Sequence, residues 1–232
     1  MLFGGLQKNS LIDFPEKVSC VLFLSGCNFD CPYCHNPDLA MGRRATPFPL
    51  DEAWVCDFLD RRRGFLDGVV ISGGEPTLQE ELLALCEKIK QMGYPVKLDT
   101  NGSRPQVIES LIAGGLVDYI AMDIKTDPFQ YAPFIVKDCK PDQILTSIRL
   151  IMDSSLDYEF RTTCVKPIVD EKKMENIATL IDGANSYVLQ RFRPSSVLHA
   201  EFFQKTGGDY GEEDLLSLKS IAEPWVNECV IR

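Results

Sequence analysis

Short apolar runs alternate with longer amphipathic stretches along this chain. Val18–Leu24, read Val-Ser-Cys-Val-Leu-Phe-Leu, has strand composition and is closed off by Gly26. Comparable runs recur at Val69–Ile71, Val96–Thr100, Tyr119–Ile124, Tyr158–Val165 and Tyr187–Phe192. Between them the apolar spacing lengthens to a helical period. Leu82, Leu83, Leu85 and Ile89 form one stripe within a helix predicted over Gln79–Met92. Further helices are predicted over Leu50–Arg63, Pro105–Ala113, Asp142–Met152, Lys172–Ile181 and Glu212–Ala222. The Leu50–Arg63 segment opens on acidic residues and closes on Arg61-Arg62-Arg63 before Gly64, the polarity that suits a helix dipole. Residues before Val18 read as an irregular start, and a polar connection with Gly42, Pro47 and Pro49 follows the first strand.

Six strands alternating with helices imply parallel strands joined by right-handed crossovers. The count falls short of the eight a closed barrel needs, so the pattern predicts an α/β fold built as a partial (β/α)6 barrel. An open doubly wound sheet is the alternative that periodicity does not separate. No internal repeat, low-complexity tract or linker interrupts the alternation, which predicts a single domain over residues 1–232 with a cysteine loop at 25–37.

The chain has 232 residues, 45% hydrophobic and 25% charged, the composition of a globular protein with a sizeable core. Its formal charge of −10 argues against a nucleic-acid partner, which would call for a basic face. No apolar run reaches the ~18 residues that span a bilayer. The start, Met-Leu-Phe-Gly-Gly-Leu-Gln-Lys, lacks a leader's basic and apolar regions. A cytoplasmic location without membrane contact is expected. Nine cysteines, an odd number, do not form a secreted disulfide framework. Six of them, Cys20, Cys56, Cys86, Cys139, Cys164 and Cys229, stand singly and read as small core hydrophobes.

The other three stand together. Cys27, Cys31 and Cys34 make a C-x3-C-x2-C triplet in the loop after the first predicted strand. Thiolates are the usual protein ligands of iron–sulfur clusters, and three of them on a four-iron cluster leave one iron open to a small molecule. Zinc competes for the same residues, because Cys3His sites are common and His35 is adjacent. Consecutive residues rarely turn onto one metal, however, and the other histidine, His199, is distant in sequence.

More polar groups follow later strands, where α/β folds place their sites. Ser72-Gly73-Gly74-Glu75-Pro76-Thr77 offers two glycines for close backbone approach, a carboxylate and a stiffened exit. Asp99-Thr100-Asn101-Gly102 and Asp123-Ile124-Lys125 end two further strands. In a strand, Asp123 and Lys125 point to the same side. Each segment also has a plainer reading as a turn or a surface pair.

Taken together, Cys27-x3-Cys31-x2-Cys34, Tyr33 before the last cysteine, and Gly73-Gly-Glu-Pro76 resemble the radical S-adenosylmethionine superfamily. The resemblance implies a [4Fe-4S] cluster on the three cysteines, which are catalytic through it, with S-adenosyl-L-methionine on the open iron. Reductive cleavage would then give methionine and a 5′-deoxyadenosyl radical. It places Gly73, Gly74 and Glu75 at the methionyl amino end and Tyr33 near the adenine. Within the superfamily the chain is similar to the glycyl-radical-enzyme activases, above all those serving anaerobic ribonucleoside-triphosphate reductase. That similarity rests on Gly5–Pro15, Gly26–Pro37, Asp99–Gly102, Asp123–Lys125 and Gln190–Pro194.

By similarity to pyruvate formate-lyase activases, Asp99, Thr100 and Asp123 would lie near a monovalent cation or the cofactor's carboxylate, and Lys125 and Arg161 around the cofactor. Those relatives have Tyr-His where this chain has Phe192-Arg193, so Arg193 is a weaker match. The resemblance implies flavodoxin or ferredoxin as electron donor. The chain has no family-type glycyl-radical motif of its own, so the radical target, anaerobic ribonucleotide reductase by this similarity, would be a separate protein. A target loop would meet the rim at Thr126–Pro141, whose Phe129, Tyr131 and Phe134 read equally well as barrel packing. The competing readings are an activase of another glycyl-radical enzyme of the pyruvate formate-lyase kind, a radical enzyme for a small molecule as in 7-deazaguanine biosynthesis, and a non-enzymatic zinc-binding interaction module.

Overall fold

The structure is a computed structural model that describes residues 1–43, 50–132, 135–136, 140–194, 197–204 and 207–232. Pro47, Pro49, Phe134 and Cys139 lie outside the described residues. The strands are β1 (Phe3–Ser10), β2 (Ser19–Leu24), β3 (Gly68–Gly73), β4 (Val96–Thr100), β5 (Tyr119–Asp123), β6 (Asp157–Cys164), β7 (Tyr187–Arg191) and β8 (Cys229–Ile231). The helices are α1 (Pro37–Ala40), α2 (Glu52–Asp60), α3 (Leu82–Gln91), α4 (Pro105–Ala113), α5 (Pro141–Met152), α6 (Glu171–Leu180) and α7 (Glu212–Ala222).

All eight strands form one sheet in chain order, β1 to β8. Strand β1 is antiparallel to β2, with Gln7 opposite Val21, whereas β2–β3, β3–β4, β6–β7 and β7–β8 are parallel. A doubly wound sheet reverses its strand order at a switch point. Sequential order with no reversal is the winding of a (β/α) barrel, here with two edges at β1 and β8 instead of closure.

Each of the six predicted strands is present. The two additional ones have weak local signals. Strand β1 reads Phe-Gly-Gly-Leu-Gln-Lys-Asn-Ser, without alternation and with two glycines, so pairing on the edge of β2 imposes it and local propensity does not. Strand β8 has three residues, placed by pairs such as Tyr187 with Cys229. Helix α2 is shorter than predicted. Asp51 caps it by accepting from Trp54 N at 2.8 Å, and Arg61 stands at its C-terminal cap. Arg61 and Arg63 pair with Asp57 and Asp60, so the arginine run is a solvated helix end.

The chain gathers into two compact units. The first comprises residues 1–28, 38–100 and 106–120. Its core joins Leu22, Leu24, Val69, Val70, Ile71, Val96 and Leu98 from the strands with Leu59, Leu82, Leu85 and Ile89 from the helices, all within 1% of full burial. Near-continuous burial of β2 and β3 is the mark of parallel strands covered on both faces. The second unit comprises residues 29–37, 101–105 and 121–232. Phe160, Tyr187, Val188 and Leu189 pack there with Ile148, Ile151, Met174, Ile177, Leu215 and Leu218. The buried Tyr187 hydroxyl donates to Thr162 Oγ1 at 2.8 Å, and Thr162 Oγ1 donates to Ile124 O at 2.8 Å, which continues the chain of hydrogen bonds.

Candidate active site

In the first unit the C-terminal ends of β2 and β3 lie backbone against backbone. Gly74 N donates to Leu24 O and Glu75 N to Gly26 O, both at 2.8 Å. This approach depends on the two glycines. A Cβ on Gly73 would stand 2.1 Å from Leu24 O, at a φ of +129° that side chains avoid, and one on Gly74 would stand 2.1 Å from Gly26 O. The residues so gripped lead directly into Cys27, whose N–H donates to Ala40 O at 3.2 Å, while Gly26 N donates to Leu39 O at 2.7 Å. Helix α1 therefore holds the same stretch from another side.

Beyond the glycines, Glu75 is fully buried. Its Oε1 accepts from Thr77 N at 3.1 Å, Thr77 Oγ1 at 2.5 Å and Thr100 Oγ1 at 2.7 Å, which ties the end of β3 to the end of β4. Asp99, one residue back on β4 and partly exposed, accepts from Lys97 Nζ at 2.8 Å. Gly73, Gly74, Glu75, Asp99 and Thr100 are thus one connected group beside Cys27.

A second group forms in the other unit around Asp123. Arg161 Nε donates to its Oδ1 at 2.8 Å and Lys125 Nζ to its Oδ2 at 3.1 Å. Burial works to raise the Asp123 carboxyl. The Arg161 and Lys125 charges, with their hydrogen bonds, overcome it and hold the group well below the usual carboxylate range. Arg161 also lies 3.8 Å from the buried Glu159, which accepts from Arg232 at 3.0 Å. Tyr33 is buried, its hydroxyl donating to Lys125 O at 3.3 Å, and Lys125 N donates to Tyr131 Oη at 3.0 Å. Burial pushes the Tyr33 phenol well above its ordinary value. Tyr131 is itself fully buried and meets Phe29 edge-on, so it packs the cysteine loop, whereas Phe129 is exposed.

The same unit carries Cys31, buried, and Cys34, half-buried, joined by a turn in which Cys34 N donates to Cys31 O at 3.0 Å. The segment after β7 docks on this turn. Leu198 N donates to Cys34 O and His199 N to Pro32 O, both at 3.1 Å. His199, distant in sequence, is therefore next to the Cys31–Cys34 turn. Its ring nitrogens lie 2.9 Å from Asp30 and 3.3 Å from Glu201, and the hydrogen bond to Asp30 chiefly raises its pKa. Both nitrogens face carboxylates, which leaves neither for a zinc ion on the cysteines. His35 is exposed against Phe192. Arg193 is exposed past β7 and enters neither group.

Among the described residues no three His, Cys, Asp or Glu side chains converge on one metal-ion position. A four-iron cluster takes each thiolate on a separate iron and needs no such convergence. The donor set, three thiols on one eight-residue segment with no carboxylate in the triplet, is the soft-ligand chemistry that iron–sulfur clusters take. Of the single cysteines, Cys20, Cys86, Cys164 and Cys229 are buried, and burial pushes the first three thiols up to about 12 and the last to about 11. They are inert core residues, and Cys56 is partly exposed on α2.

The sequence reading missed Lys97, Glu159 and Arg232, and gave Thr77 no role beyond ending its turn. The available signal was strongest for Lys97, a lysine between the apolar Val96 and Leu98 of β4.

Residues 21–181 match the radical SAM superfamily. A Methanocaldococcus jannaschii protein named as a glycyl-radical enzyme activating enzyme is 37% identical over 238 residues, covering 100% of this chain and 95% of its own. The pyruvate formate-lyase-activating enzyme of Clostridium pasteurianum is 27% identical over 91% of this chain and 89% of its own. Among solved structures, Streptococcus suis SuiB bound to its precursor peptide SuiA superposes with a TM-score of 0.67 at 15% identity over 90% of this chain. The match covers 48% of SuiB, so this chain spans about half of that protein.

Proposed function

Because the chain belongs to the radical S-adenosylmethionine superfamily, we propose that Cys27, Cys31 and Cys34 hold its [4Fe-4S] cluster and that the enzyme installs a glycyl radical on a partner protein. The observation that carries the second half is the 37% identity to the Methanocaldococcus activating enzyme, which runs the whole length of this chain. When bound, the cluster and S-adenosylmethionine supply reductive sulfonium cleavage and a 5′-deoxyadenosyl radical that abstracts hydrogen.

The protein's own residues hold and shield that cofactor pair. In the first unit, Gly73 and Gly74 bring backbone up to Cys27, and with Glu75 they serve the cofactor's amino end. In the second unit, Tyr33 serves the adenine and Lys125 and Arg161 stand around the cofactor; Arg193, outside both groups, is the weaker contact. Asp123 holds Lys125 and Arg161 in fixed geometry. Asp99 and Thr100 in the first unit, and Asp123 in the second, are each proposed to lie near a monovalent cation or the cofactor's carboxylate.

As the radical target we propose anaerobic ribonucleotide reductase, supported by the resemblance of the Gly5–Pro15 segment to activases of that branch. Flavodoxin or ferredoxin is the proposed one-electron donor, and the cytoplasm the proposed compartment. No helix among the described residues is long and apolar enough to cross a membrane. The pyruvate formate-lyase branch is the second reading, favoured by the Clostridium relative. The test is anaerobic incubation of the reconstituted enzyme with S-adenosylmethionine, a reductant and each candidate partner. A glycyl-radical doublet by electron paramagnetic resonance on the reductase supports the first reading. A doublet on pyruvate formate-lyase alone supports the second, and 5′-deoxyadenosine without radical on either rejects both.

A further inference from the structure

One face of β6 and β7 is polar. Strand alternation separates it from the face that packs on the helices. Tyr187 and Arg191 mark the helix side of β7, the first with its hydroxyl 3.5 Å from Met174 Sδ of α6, the second paired with Glu212 of α7. Thr162 marks the helix side of β6 through its bond to Tyr187. Arg161, Thr163 and Gln190 therefore stand on the opposite face, where Arg161 meets Asp123 and Thr163 lies directly beside Gln190 in the parallel register.

Gln190 is half-buried at the C-terminal end of β7 and only lightly held. Thr163 Oγ1 donates to its Oε1 at 3.4 Å, a long contact. Its Nε2, with two N–H donors, has no partner among the described residues. Packing alone would favour an apolar side chain here, as at the fully buried Val188 two positions earlier on the same face. The charged neighbours, Asp123 and Arg161, satisfy each other and suit an ionic ligand. A neutral side chain with a donor and an acceptor side by side suits another amide. Glycine has no side chain, so within a polypeptide it can be read only through its main-chain N–H and C=O groups.

We propose that Gln190 binds the main chain of the target polypeptide at its glycine, Nε2 donating to a peptide carbonyl while Thr163 engages the Oε1 end of the amide. This deepens the reading of the enzyme as a glycyl-radical activase and rests on it. Gln190 serves the polypeptide and makes no contact with S-adenosylmethionine.

Two variants test it. Gln190→Met removes the amide at similar length, and Gln190→Glu keeps the oxygen that Thr163 meets but removes the N–H donors. Each is reconstituted anaerobically and assayed for iron, for S-adenosylmethionine affinity by calorimetry, and for glycyl-radical formation by electron paramagnetic resonance. The partner, anaerobic ribonucleotide reductase or pyruvate formate-lyase, is whichever the wild type activates, and its concentration is varied. Both variants are expected to keep wild-type iron and cofactor affinity while kcat/KM for partner activation falls about tenfold, the loss of one hydrogen bond to the substrate. Wild-type activation in either variant would overturn the proposal. So would a matching loss of S-adenosylmethionine affinity, which would put Gln190 on the cofactor, or loss of iron in both variants, which would make it scaffold. A wild type that cleaves S-adenosylmethionine but activates neither partner fails before any variant is compared, and then the activase reading falls and this inference with it.

Discussion

Replacing Gly74 with alanine puts the smallest possible side chain into the closest backbone approach near Cys27. The new Cβ would lie 2.1 Å from Gly26 O and 2.6 Å from Gly26 C. Carbon and carbonyl oxygen rest about 3.3 Å apart or more, so the Gly26–Cys27 backbone must retreat by more than ~1 Å. That movement disrupts two 2.8 Å hydrogen bonds, Gly74 N to Leu24 O and Glu75 N to Gly26 O. With ~0.5–1.5 kcal/mol for each bond and a similar cost for polar groups left unsatisfied, the loss is about 2–4 kcal/mol. For a chain of this length it lowers the melting temperature by roughly 5–15 °C. Gly93→Ala is the control. Its φ is +89° but no atom lies within 4 Å of the added Cβ, so it bears backbone strain alone, about 1–2 kcal/mol. Thermal unfolding of the apoproteins measures stability, and iron content after anaerobic reconstitution measures cluster loading. Gly74→Ala is expected to lose more stability and most of its iron, and Gly93→Ala to load as the wild type does. Full iron and an unchanged melting temperature in Gly74→Ala would refute the reasoning, and so would iron loss in Gly93→Ala.

Asp123→Asn removes the charge between Lys125 and Arg161 and should destabilise the protein by ~3 kcal/mol at pH 7. Because the folded carboxyl is depressed, its stabilisation is complete above the unfolded value near ~3.9 and fades as pH falls through the lower folded one. Urea unfolding from pH 7 to pH 3 should therefore show the gap between wild type and variant constant down to about pH 4 and narrowing below it. A gap that widens in acid would contradict the sign. Tyr187→Phe deletes one buried hydroxyl bonded to Thr162 and should cost ~1 kcal/mol in the same assay without changing iron content. In the native apoprotein, alkylation followed by mass spectrometry should label Cys34 well before Cys20, Cys86 or Cys164; equal rates would mean that burial does not protect those three.

The six predicted strands were legible because parallel strands covered on both faces read as short continuous apolar runs, and Cys20–Leu24 and Val69–Ile71 are too short for a helix of ordinary length. The sheet's edges were not. Strand β1 contains two glycines and a polar second half, and its conformation comes from hydrogen bonds to β2, a partner that local pattern does not reveal. The triplet and Gly73-Gly-Glu-Pro76 could be found by residue type and spacing. The position of His199 could not, because its approach to Pro32 and Cys34 is a tertiary contact across more than 160 residues. Tyr131 was weighed as a rim aromatic and proves to be buried, with its hydroxyl accepting from Lys125 N and its ring against Phe29. An amphipathic ring serves either place equally well in a one-dimensional pattern.

The structure also changes what the pairing of the two motifs means. In the sequence, the cysteine triplet and the Gly-Gly-Glu-Pro turn stand some forty residues apart and look like separate contributions to one cofactor. In space, Gly73 and Gly74 are needed before any cofactor arrives, because the backbone that leads into Cys27 occupies the volume their side chains would fill. Glycine at these positions is thus accounted for by packing, and the candidate chemical group of the turn is Glu75, whose buried carboxylate gathers Thr77 and Thr100. The two functions separate by substitution. A change at Gly74 acts through the cysteine loop and appears first as lost iron. Glu75→Gln keeps the size and the accepting oxygen, so it should spare the iron and appear in S-adenosylmethionine affinity. Iron loss in both variants would mean that the turn is scaffold throughout, and loss of affinity with full iron in both would mean that the glycines hold the cofactor directly.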